Sequence, residues 1–199
     1  IRLVEVRSEL AAGTRGASMG VDAMKVASLG KHSNFFTRFE PVSVKDENAR
    51  LFEEPKFPFA KYGEGVFTMV ERVCNAVAEL RKEHLFPIVL AGDHSTAAGT
   101  ICGIKMADPH KRLGVIWIDA HADLHSPYTT PSGNMHGMPL AIAAALDNEA
   151  CEENDVEEET EALWERIKQI GGNGPKIDPS DIVYIGVRDT EEPEEKNPK

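Results

Sequence analysis

The sequence predicts an α/β domain in three layers, with helices on both faces of a mostly parallel sheet. Three observations carry that expectation. Short apolar runs alternate with longer segments of helical period. The runs after residue 85 each break off abruptly into Gly, Asp, His or Arg. No internal repeat or inter-domain linker interrupts the alternation, so residues 1–199 read as belonging to one domain.

Taken in order, Arg2 to Val6 is a strand, followed by the glycine-rich GTRGASMG. A second strand covers 39 to 44, and the stretch through Glu53-Glu54-Pro55 and Phe57-Pro58-Phe59 is a connection without chemistry of its own. Val66, Val70, Val73, Val77 and Leu80 recur at helical spacing, with Arg81 and Lys82 at the end where they complement the helix dipole. Ile88 to Ala91 is a strand that breaks into Gly92-Asp93-His94-Ser95, Ser95 being placed to cap the small-residue helix that follows. Another strand begins at Val115 and runs into Asp119. Met138 to Leu146 is an apolar, alanine-rich helix that should lie buried behind the preceding loop. Residues 147–161, crowded with acids in EACEENDVEEETE, read as a solvated surface loop. The helix from Glu161 to Ile170 puts Leu163, Trp164, Ile167 and Ile170 on one face and ends at Gly171-Gly172. A last strand, Asp181 to Val187, ends in Arg188 and Asp189.

In parallel α/β sheets ligands bind outside the carboxyl ends of the strands. Asp119, His121 and Asp123 fall at i, i+2 and i+4 of an extended segment, which projects them to the same side. A mixed Asp/His set favours a transition metal over calcium, and the lack of cysteine argues against structural zinc. A single Asp-x-His-x-Asp would also suit a capped strand end. A second strand delivering Asp93 and His94 at the same level favours a shared metal site. Asp189 reads equally as a substrate contact and as the partner of Arg188 in an internal ion pair.

Composition narrows the partners. A formal net charge of −11 argues against nucleic acid, whose phosphates would be repelled. No apolar run is long enough for a membrane span and no signal peptide is visible, which fits a cytoplasmic protein. Cys74, Cys102 and Cys151 are odd in number and far apart, unlike a disulfide framework, and the first two fall on apolar helix faces.

AGDHS, DAHAD, the spacing SPYTTPSGNMHGMP and IGVRD, in this order between about Leu90 and Asp189, resemble the ureohydrolase family and its arginase branch. The resemblance implies an arginase-like fold, of which this chain is the N-terminal part and is incomplete at the C-terminal end. It implies two manganese ions held by His94, Asp119, His121 and Asp123. Asp119 would bridge the ions, His94 and Asp123 would sit on one, and His121 on the other. The family's later Asp-rich motif, of the type SxDxDxxDP, has no counterpart up to Lys199, so two Asp ligands are missing. In the implied chemistry Asp123 holds the proton of the attacking hydroxide, and His136 carries a proton to the departing amine. Ser132, Asn134 and His125 would donate to a substrate α-carboxylate, and Asp189 or Glu191 would accept from its α-ammonium. Arginases usually carry asparagine where this chain has His125, and aspartate where it has Glu191. The expected reaction is hydrolysis of L-arginine to L-ornithine and urea. Agmatine, which lacks the carboxylate, and formiminoglutamate are alternative substrates of the same chemistry. The alternative of a different class is a non-catalytic fragment serving binding or oligomerisation. A trimer or hexamer is expected from the family alone.

Overall fold

The computed structural model describes residues 1–190. Strand β1 (Arg2–Val6) is the middle of a three-stranded sheet: it pairs in parallel with β2 (Pro41–Val44), Leu3 facing Pro41, and with β3 (Pro87–Ala91), Leu3 facing Ile88. Val4 and Val6 point to one face, where Met69, Val73, Val77 and Leu80 of α3 (Gly63–Lys82) cover them. Alternation sends Leu3 and Glu5 to the other face, under α1 (Gly20–Gly30). There the buried Glu5 carboxylate meets Lys25 of α1 at 2.6 Å and Arg7 at 2.8 Å. Helix, sheet and helix are the three expected layers. A single helical turn, α2 (Phe35–Arg38), leads into β2.

Helix α4 (Ala97–Ala107) follows β3 and packs on α3 so closely that Gly99 and Gly103 face the Val70 and Cys74 carbonyls. Cys74 and Cys102 are buried at that contact, as their positions on apolar faces predict. Burial pushes their thiols up, to about 11 and about 12, so both stay protonated and inert at neutral pH. Helix α5 (Pro139–Ala144) is entirely buried, with Pro139 in its first turn. Helix α6 (Glu158–Lys168) buries Leu163, Trp164 and Ile167, with Ile170 just past its end. It starts earlier than expected, at Glu158, so the acidic loop is shorter than 147–161: Glu158, Glu159 and Glu161 occupy the first turn, where the helix dipole favours acids.

The parallel strands of the described residues form two sheets: β4 (Val115–Ile118) pairs in parallel only with β5 (Ile182–Ile185), and β3 and β4 are not hydrogen-bonded to each other. Val115, Trp117 and Ile182 face a second core with α5. The opposite face of this pair is bare: Ile116 opposite Val183 and Ile118 opposite Ile185 are all about half exposed or more. No helix among the described residues is long and apolar enough to cross a membrane.

Candidate functional site

The turn after β3 is fixed from below. The Gly92 amide donates to the Val6 carbonyl at 3.0 Å, and a Cβ at 92 would lie 2.2 Å from the Ser8 carbonyl oxygen, so only glycine lets the turn rest on the end of β1. Asp93, 5% exposed, then caps the helical turn His94–Thr96: one carboxylate oxygen accepts from the Ser95 amide at 3.1 Å and from the Ser95 hydroxyl, the other from Ser8 Oγ at 2.7 Å. The cap is therefore Asp93 and not Ser95, because the helical turn begins two residues earlier than expected. His94 is carried on this braced turn.

Strand β4 ends at Ile118, and 119–125 leave the sheet. Asp123 adopts φ 53, a left-handed conformation costly for a residue with a Cβ. Its carbonyl accepts from the Leu140 amide at 3.1 Å in the first turn of α5, which holds the strained residue in place. His94 Nδ1 consequently lies 2.8 Å from Asp123 Oδ2 and 3.2 Å from Asp119 Oδ2. One ligand atom from each of the three residues falls within 4.8 Å of the others. His121 departs from the expected convergence: with the strand already ended, the alternation of side chains no longer applies, and His121 lies on the outer side of Asp119. Its Nδ1 is 3.3 Å from Asp119 Oδ1, and its Nε2 is 3.8 Å from Asp189 Oδ2. Asp119 thus turns one oxygen toward each histidine.

The charge pattern suits a cation. Burial opposes a charged His94, but its contact with Asp123 and the negative charges of Asp123, Asp119 and Asp93 outweigh this and raise its pKa above that of an ordinary histidine. Burial also opposes charge on Asp119, yet amide hydrogen bonds from His121 and Ala120 and the nearby His94 and His121 hold its carboxyl below the usual range. Asp123 Oδ2 is buried and receives no well-aligned hydrogen bond although Nδ1 is close. A buried carboxylate oxygen and an imidazole nitrogen directed at one point are donors of the right chemistry for a divalent metal.

Beside this cluster lies a cavity of about 270 Å³. Its walls are His94, His121, Asp123 and His125 on one side, Thr130, Ser132, Asn134 and His136 on the loop, and Asp189 beyond the end of β5. Every expected site residue in the described part except Asp119 lines it; Glu191 falls outside the described residues. Asp189 does not pair with Arg188, whose guanidinium donates to the Gly186 carbonyl. His125 is tied to the loop at both ends: its amide donates to the Gly137 carbonyl at 3.0 Å and its Nδ1 lies 3.2 Å from Thr129 Oγ1. His136 is exposed in the helical turn Met135–Gly137, whose Met135 is fully buried.

Two supports of this loop have no signal in the sequence. At Gly133, φ 73, a Cβ would lie 1.9 Å from the Pro58 carbonyl oxygen, and the Gly133 carbonyl accepts from the Lys61 amide at 2.9 Å. The Phe57 to Lys61 connection, read as inert, therefore braces the loop. Asn154, within the acidic stretch, donates through Nδ2 to the carbonyls of Pro127 at 2.9 Å and Thr130 at 2.8 Å. The amides of Glu153 and Asn154 add bonds to the Tyr128 carbonyl at 2.9 and 3.0 Å.

The family model described as "Arginase family" matches residues 1–199. The arginase of Bacillus caldovelox is 35% identical over 205 residues, covering 98% of this chain and 60% of the relative. Human arginase-1 is 37% identical over 146 residues, covering 72% of this chain and 40% of the relative. The solved native structure of the Bacillus caldovelox enzyme superposes with a TM-score of 0.77 at 34% identity, covering 98% of this chain and 60% of that one. The chain thus spans about 60% of the length of the Bacillus caldovelox enzyme. A whole-length match to one family, relatives a third identical over nearly all of the chain, and a shared fold reach the same conclusion: this chain belongs to the arginase family.

Proposed function

We propose that this chain carries the metal-holding part of a manganese-dependent hydrolase that cleaves the guanidinium group of L-arginine to L-ornithine and urea. The observation that carries the proposal is the convergence of His94, Asp119 and Asp123 from two strand ends at the wall of a cavity lined by further histidines. A divalent metal bound there supplies Lewis acidity, which makes a hydroxide nucleophile available near neutral pH. His94, Asp119 and Asp123 would hold one ion, and His121 with Asp119 a second. Asp123 is buried on the floor of the cavity, where its carboxylate can keep the proton of the attacking group. His136, exposed on the facing loop, would deliver a proton to the amine as it departs. Ser132, Asn134 and His125 present donors to an α-carboxylate, and Asp189, 79% exposed at the mouth, presents an acceptor to an α-ammonium. This loop favours arginine over agmatine.

Among the described residues the metal cluster comprises three side chains, with His121 beside it, and the chain spans about 60% of its bacterial relatives. That favours a second reading, in which the chain alone binds metal weakly and does not turn over. Manganese-dependent urea release from arginine, with agmatine as control, separates the readings. Urea from arginine alone supports the first; none from either substrate supports the second. Under the first reading His136→Ala should lower turnover about 100-fold or more with manganese binding retained, whereas Asp119→Ala should abolish both. Equal loss of manganese in the two variants would reverse the role assignment.

A further inference from the structure

Trp117 lies in β4, 7% exposed, with its indole stacked on the imidazole of His94: the ring centroids are 4.6 Å apart and the planes differ by 16°. The two residues come from different sheets, His94 from beyond β3 and Trp117 from β4. Asp119 and Asp123 engage His94 only at Nδ1, in the direction of its ring edge. Contacts at one ring nitrogen leave the tilt of the ring free, because rotation about Cβ–Cγ of histidine has broad minima. Both rings border a cavity of about 370 Å³ between β3 and β4, so packing does not enclose the imidazole on every side. The flat indole is the contact that fixes its plane.

The indole N–H supports this reading. Trp117 Nε1 is buried and has no hydrogen-bond partner among the described residues, although buried tryptophans usually satisfy that donor. Trp164 shows the ordinary arrangement, donating to Asp147 Oδ1 at 2.7 Å. Trp117 therefore sits where its ring face is used and its donor is not.

We propose that Trp117 is a positioning residue that sets the plane of His94 so that Nδ1 points at the Asp119 and Asp123 carboxylates, and that its emission reports a metal at that point. The proposal rests on the reading of this cluster as a divalent-metal site. Its test uses the full chain, with free manganese counted by electron paramagnetic resonance. Trp117→Phe keeps a flat ring; Trp117→Leu keeps an apolar side chain without one. Parent and Trp117→Phe are expected to bind within about twofold of each other, and Trp117→Leu about tenfold more weakly, at equal far-ultraviolet dichroism without metal. In a Trp164→Phe background, where Trp117 is the remaining tryptophan of the two, manganese should quench the emission saturably, and Asp123→Asn should remove the quench. That second readout stands even if Trp117→Leu fails to fold. Trp117→Leu binding as tightly as the parent, equal weakening in Leu and Phe variants, or unchanged emission while manganese is bound would each overturn the proposal. A parent chain that binds no manganese would instead overturn the metal reading beneath it.

Discussion

Glu9 shows how one carboxylate can order a loop that the sequence marks only as glycine-rich. It is 9% exposed, and its Oε2 accepts from the amides of Gly16 at 2.8 Å and Ser18 at 3.0 Å. The Ser18 amide bond is the main cause that lowers its pKa, burial opposes it, and the Gly16 amide and Arg15 assist. The loop it closes matters for the site, since Gly13 lies against the Asn134 amide. A carboxyl whose folded pKa lies below its unfolded value contributes stability that is present above the unfolded value and is lost as pH falls through the folded one. Glu9→Gln should therefore cost about 1–2 kcal/mol at pH 7, and the gap between variant and parent should narrow as pH falls below 4.5, the ordinary value for this group. Urea unfolding at several pH values measures this. A gap that stays constant with pH would assign the effect to shape and not to charge.

At the scale of elements, the acidic stretch between α5 and α6 acts as a clip on the loop that carries His136. Asn154 spans two carbonyls of that loop, and the Glu153 and Asn154 amides hold a third. Asn154→Ala should raise amide exchange across residues 128–137 with little change in global melting, since about two hydrogen bonds of roughly 1 kcal/mol each are lost locally. Asn154→Asp should do more, because it turns a carboxylate toward two carbonyl oxygens. Unchanged exchange in both variants would remove Asn154 from the loop's support. This clip also marks what the sequence could reveal. His94, Asp119 and Asp123 were legible because strand, glycine and acid or histidine follow one another locally, and α3 and α6 were legible because their apolar residues keep helical period. The Asn154 clip and the Pro58 brace at Gly133 were not, since each joins segments far apart in the chain and leaves no local pattern. His121 lies beside Asp119 and apart from the grouping of His94, Asp119 and Asp123, because the alternation of side chains ends with the strand at Ile118. The interruption between β3 and β4 was likewise invisible, because an apolar run reveals that it is a strand without revealing its neighbour.

At the scale of the whole molecule, that interruption leaves an exposed apolar face. Ile116 at 68%, Ile118 at 75%, Val183 at 57% and Ile185 at 49% exposure form two cross-strand pairs on one face of β4 and β5. Four aliphatic side chains in a contiguous patch beside a strand edge with no partner among the described residues favour association. A net charge of −11 opposes it through long-range repulsion, but salt screens that repulsion and leaves the apolar contact intact. Self-association of the chain should therefore increase with ionic strength. The pair Ile118→Lys with Ile185→Glu tests the patch directly: the two positions are cross-strand partners, so opposite charges there support the pairing while removing the apolar surface. Sedimentation velocity should show the parent associating as salt rises and the double variant staying monomeric, with Tm nearly unchanged because neither side chain packs in the core. If the variant associates as the parent does, the contact lies elsewhere on the surface. If association falls with salt, opposite charges and not this patch hold the copies together.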